Sequence, residues 1–106
     1  MDFNKSAVEL SNLVRGLNPW PSAFTHLSGK LLKVWKAKVV TAEEIGATTD
    51  IDAAPAGTIV HVSKDSFTVK TGDGLLSITE VQLEGKKRML VKDFLLGYKL
   101  EVGTQF

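Results

Sequence analysis

Apolar positions recur with a helical period at the start of the chain and with a strand period over most of the rest. Ala7, Leu10, Leu13, Val14 and Leu17 fall on one face of a helix. Ser6 followed by Glu9 has capping-box spacing, in which the hydroxyl accepts the Glu9 amide proton and the carboxylate reaches back. Asn18-Pro19-Trp20-Pro21 ends the run, because each proline drives its predecessor out of the helical region. The helix is therefore expected to stop near Leu17.

From Ala23 onward the spacing predicts strands. Phe24 to Leu27 and Lys30 to Val40, joined at Ser28-Gly29, read as a hairpin. In the longer strand Leu31, Trp35, Ala37 and Val39 share one parity, and Lys36 and Lys38 share the other. With Trp35 taken as core, those two lysines face outward together. Lys33 has the parity of Trp35, so it lies near the rim unless the strand bulges there.

Residues 41–56 are Ala-rich and acidic with little periodicity, which predicts a surface loop with a short helical turn at Ala42 to Ile45. Strands are expected at Thr58 to Val62, Phe67 to Thr71 and Leu75 to Leu83, with a hairpin at Gly72-Asp73-Gly74. A short strand at Lys87 to Leu90 and a helix from Val91 to Tyr98 close the chain, with Val91, Phe94 and Leu95 on one side. Short strands joined by Gly-rich turns favour a mainly β fold: a small barrel with an N-terminal helix and a short C-terminal helix. A single domain spanning 1–106 is the expected organisation.

Composition narrows the chemistry. The chain has no cysteine, so disulfides, thiol catalysis and cysteine-ligated zinc are excluded. His26 and His61 lack a second histidine at metal-binding spacing, and no metal is expected. No apolar run approaches the roughly 18 residues of a membrane helix, so no membrane partner is expected and a cytoplasmic location is the default. Gly72-Asp73-Gly74 sits between strands rather than before a helix, so it does not cradle phosphate. Glu43 and Glu44 are consecutive and so do not converge on one substrate, and Glu80 with Glu84 shows no apolar shielding of the kind a general acid needs; solvation is the simpler role. No catalytic residue is assigned.

Net charge is only +1, but its distribution is uneven. Lys5, Arg15, Lys30, Lys33, Lys36 and Lys38 precede an acidic stretch at Glu43, Glu44, Asp50 and Asp52, and Lys86, Lys87 and Arg88 form a later basic run. Such segregation lets a nearly neutral chain present one basic face to phosphate, although a solvated face of mixed charge has the same pattern. Trp20 is expected to pack between helix and barrel. Contact with an RNA duplex through its backbone is therefore favoured over base stacking.

The run Arg15-Gly16-Leu17-Asn18-Pro19-Trp20-Pro21-Ser22-Ala23-Phe24, with Lys33-Val34-Trp35-Lys36-Ala37, resembles the C-terminal domain of bacterial methionyl-tRNA formyltransferases. Ala56-Gly57-Thr58-Ile59, Thr71-Gly72-Asp73-Gly74, Val81-Gln82, Gly85-Lys86-Lys87-Arg88-Met89 and Asp93-Phe94-Leu95 extend the resemblance along nearly the whole chain. Ser22 stands where many relatives have Gly, and Leu90-Val91 stand where a helix cap would be expected.

The resemblance implies an OB-like barrel that contacts the initiator methionyl-tRNA and carries no catalytic residues. It also implies that the formyl-transferring domain, with its 10-formyltetrahydrofolate donor, lies outside this chain and is a partner of it. Lys33, Lys36 and Lys38, then Arg15, Lys86, Lys87 and Arg88, are the tRNA-binding candidates; no cofactor-binding residue is expected. Related barrels also serve folate-dependent hydrolase or dehydrogenase proteins and sugar-nucleotide formyltransferases. A module that mainly packs against a catalytic domain is a third reading.

Overall fold

The structure, a computed structural model, describes residues 3, 5–17, 23–27, 29–45, 55–98 and 100–105. The elements run α1 (Ala7–Leu17), β1 (Ala23–Leu27), β2 (Lys30–Val40), α2 (Ala42–Ile45), β3 (Ile59–Val62), β4 (Phe67–Lys70), β5 (Leu75–Leu83), β6 (Met89–Leu90) and α3 (Val91–Gly97). The strands form one six-stranded antiparallel sheet in the order β1-β2-β5-β4-β3, with β6 pairing the remaining length of β5. The sheet curls around its core as an OB-like half-barrel. The expected mainly β fold with a helix near each end is therefore present, as a curled sheet.

Local chemistry explains the boundaries. Ser6 Oγ accepts the Glu9 amide at 3.2 Å and also donates to the Glu9 carboxylate at 3.2 Å, so the cap forms as the spacing predicts. Leu90 at the start of α3 makes no side-chain cap, and the helix is instead anchored by burial of Val91 and Phe94. At the β4–β5 turn Gly74 has φ of 91°, and Thr71 both donates its amide to the Gly74 carbonyl at 3.1 Å and its hydroxyl to the same oxygen at 2.7 Å. The Asp73 carbonyl of this turn accepts the Ala7 amide at 2.8 Å, tying the sheet to the first turn of α1.

The core lies on the concave side. Leu10 of α1, Leu32 and Val34 of β2, Ile59, Phe67, Val69, Leu76, Ile78 and Val81 of the sheet, and Val91 and Phe94 of α3 all join it. The exposed edge of β3 is covered by the chain end, where Ile59 donates to the Thr104 carbonyl at 2.8 Å and Gly103 donates to the Ile59 carbonyl at 2.7 Å. Covering an edge in this way blocks strand addition there.

The register of β2 on β5 overturns the expected parity of Trp35. Leu32 and Val34 are fully buried, whereas Trp35 is half-buried on the opposite face. Between Val34↔Val81 and Lys36↔Glu80 the strand β2 carries an extra residue, and between Lys36↔Glu80 and Ala37↔Ile78 the strand β5 does. These two irregularities cancel in register but reverse the alternation. Leu31, Lys33 and Trp35 consequently share the convex face with Lys36 and Lys38, while Ala37 turns toward the core.

Candidate nucleic-acid interface

The convex face of β2 and β5 gathers most of the expected basic residues. Lys33 is half-buried, and Lys36 and Lys38 are exposed; without the paired bulges, Lys33 would point away from the other two. On β5 the same face presents Gln82 opposite Lys33, Glu80 opposite Lys36, and Ser77 opposite Lys38.

The second basic run reaches this face through Arg88. Its guanidinium lies 4.4 Å from the centre of the Trp35 ring and is hydrogen-bonded to the Glu80 carboxylate. Glu80 also pairs with Lys36, at 3.9 Å. Trp35 donates its indole N–H to Gln82 Oε1 at 3.1 Å, and the Gln82 amide nitrogen donates to the Lys86 carbonyl at 3.1 Å. One connected set of contacts thus runs from β2 through β5 to the β5–β6 turn. A planar guanidinium suits this double task, since it can stack on an aromatic face while its edge meets a carboxylate.

Glu80 is only 8% exposed, which corrects its expected role as a solvated acid. Burial of an anion demands hydrogen bonds and counter-charge; Arg88 supplies a hydrogen bond and Lys36 a neighbouring cation. Their charges are therefore partly committed within the protein, whereas Lys38, Lys86 and Lys87 are exposed at either end of the cluster. The signal for this arrangement was in the sequence only as a polar residue flanked by apolar ones in Ile78-Thr79-Glu80-Val81.

Arg15 lies on α1, but its side chain is outside the described part of the structure, as is the whole of Trp20. Neither can be placed with the cluster. Glu43 and Glu44 are exposed on α2, where the Glu44 amide donates to Thr41 Oγ1 at 3.2 Å. Glu84 Oε1 accepts the Leu31 amide at 3.2 Å, so it secures the end of the β2–β5 ladder. Among the described residues no group of His, Asp or Glu side chains has the arrangement of a metal site.

A family model for the formyl transferase C-terminal domain matches residues 1–99. The methionyl-tRNA formyltransferase of Lachnospira eligens is 54% identical over 104 residues, covering 98% of this chain and 32% of the relative. That of Agathobacter rectalis is 50% identical over 106 residues, covering 100% of this chain and 32% of the relative. That of Clostridioides difficile is 48% identical over 103 residues, covering 97% and 31%. The chain spans about a third of the length of the curated relatives it matches.

Proposed function

The chain belongs to the formyl transferase C-terminal domain family, and from that premise we propose that it is a noncatalytic module that holds tRNA for a formyl-transferring domain. The relatives named above are methionyl-tRNA formyltransferases, which makes the initiator methionyl-tRNA the proposed partner. In this reading 10-formyltetrahydrofolate is the donor used by the catalytic domain, this chain contributes no group to the chemistry, and the work is done in the cytoplasm.

The observation that carries the reading is the assembly of Lys33, Lys36 and Lys38 with Arg88 on one convex strand face. Lysines on such a face contact backbone phosphates, giving affinity and position with little base reading. Lys33, Lys36, Lys38, Lys86 and Lys87 are the proposed phosphate contacts. Arg88 and Trp35 hold the face in shape, and Arg15 remains a proposed contact from the adjoining helix. Titrating tRNA into the chain at several salt concentrations tests this: affinity falls as salt rises, and salt-independent binding contradicts it.

A second, compatible role is supported by a separate surface. Val62, Leu95, Leu96 and Leu100 line an open groove of about 440 Å³ beside α3, and Leu96 is 85% exposed. An exposed apolar patch marks a site of association, and the catalytic domain is the proposed occupant. Exchanging Leu96→Glu is expected to weaken binding of an added catalytic domain while leaving tRNA affinity unchanged; loss of tRNA binding alone would contradict this division.

A further inference from the structure

The sheet register extends the basic face into a polar row that crosses four strands. Lys38 of β2 stands opposite Ser77 of β5, Ser77 opposite Thr68 of β4, and Thr68 opposite His61 of β3. Ser77 lies between the core residues Leu76 and Ile78, and Thr68 between Phe67 and Val69, so strand alternation sends both hydroxyls to the convex face. A pocket of about 230 Å³ opens over the row, lined by Lys38, Glu44, His61, Ser63, Ser66 and Ser77 with Val40 as its apolar wall. It is smaller than the roughly 300 Å³ at which sites for drug-sized ligands begin, which suits one unit of a polymer better than a whole cofactor.

The floor of this row is under-satisfied. Thr68 is fully buried, and its hydroxyl oxygen has no hydrogen-bond partner among the described residues. Thr68 lies beneath the pocket rather than in its lining, so its hydroxyl adds polarity to the floor and makes no contact with a ligand. The wall is ordered by its own contacts: Ser63 Oγ lies 2.8 Å from Ser66 Oγ and donates to Asp65 Oδ1 at 3.2 Å.

The mixture of groups selects the ligand. Lys38 offers a cation, the serines offer hydroxyls that donate or accept, and Glu44 offers a carboxylate that repels a bare anion but accepts from a hydroxyl. A phosphate adjoining a sugar hydroxyl meets all three requirements. We propose that the pocket takes one ribose–phosphate unit of an RNA strand, with Lys38 toward the phosphate and Ser77 and Glu44 toward the 2′-hydroxyl. This rests on the RNA-binding reading and goes beyond it by assigning the discrimination of RNA from DNA to a defined site, since the 2′-hydroxyl is what distinguishes the two backbones.

The test compares binding of the 106-residue chain to an RNA duplex and to a DNA duplex of the same sequence by fluorescence anisotropy. The unaltered chain is expected to favour RNA. Ser77→Ala and Glu44→Ala each reduce that preference about three- to tenfold, the size expected for one lost hydrogen bond. Lys38→Ala weakens RNA and DNA alike and lowers the salt slope by about 1. Glu44 is exposed, so its variant folds whatever the effect at Ser77. Persistent RNA binding with an unchanged RNA-to-DNA ratio in both variants overturns the pocket alone. An unaltered chain that binds no RNA at low salt overturns the RNA-holding function and the pocket with it.

Discussion

The two faces of the β2–β5 pair are built from the same strands but answer to different forces. On the concave face Leu32, Val34, Ile78, Val81 and Leu83 bury apolar surface with no charge among them. On the convex face Trp35 meets Gln82 through a hydrogen bond, Lys36 and Arg88 meet Glu80 as ion pairs, and Arg88 lies over the Trp35 ring, with a smaller apolar cluster of Val40, Val60 and Leu75 at the far end of the strands. Fold stability should therefore reside mainly on one face and ligand binding on the other. Glu80 is the point at which the two concerns meet, because it is a buried charge on the binding face.

The largest expected effect lies on the concave face. Phe67 is fully buried, so Phe67→Ala is expected to lower unfolding stability by about 3–5 kcal/mol in denaturant titrations. At concentrations where the variant remains folded, its RNA affinity should match that of the unaltered chain. A large loss of affinity in the folded variant would break the division between faces.

Glu80→Ala tests the meeting point. Removing one member of a buried pair can cost about 3–5 kcal/mol, but Arg88 is half-exposed and water screens its charge, so about 1–2 kcal/mol is expected here. RNA affinity at low salt should move the opposite way and rise, because Arg88 and Lys36 lose their internal counter-charge. A variant that loses stability and affinity together would show that Glu80 acts on binding only by shaping the face.

Smaller effects are expected at Lys36 and Thr68. Lys36→Ala should change stability by less than about 0.5 kcal/mol while reducing the salt slope of RNA binding by about 1. Thr68→Val removes an unpaired buried hydroxyl, so thermal unfolding of the free chain should be unchanged or slightly raised. A clear fall in melting temperature would mean that the hydroxyl has a partner in solution.

Much of the concave face was legible in the chain. The Ser6 and Glu9 cap, and the turns at Gly29 and Gly74 with their positive φ, set element boundaries through local geometry alone. The convex face was harder because Leu31-Leu32-Lys33-Val34-Trp35 has apolar residues on both parities, and periodicity cannot decide between Leu31 with Trp35 and Leu32 with Val34. The choice is made across the sheet by Val81 and Leu83, and the paired bulges that return Lys36 and Lys38 to the face of Lys33 have no signature within β2. The Glu80–Arg88 contact likewise exists only once the β5–β6 turn brings the strands together. The RNA partner came from family resemblance, since spacing and charge alone allowed a solvated face.

The proposed division between the two faces rests on which surface holds tRNA. The most direct measurement is protection of initiator tRNA by the chain carrying Lys36→Glu and Lys38→Glu, compared with the chain carrying Glu43→Lys, an exposed position outside the proposed ribose pocket. Protection should collapse in the first and persist or strengthen in the second. Equal loss from both would contradict the assignment of the convex β2–β5 face as the tRNA-holding surface.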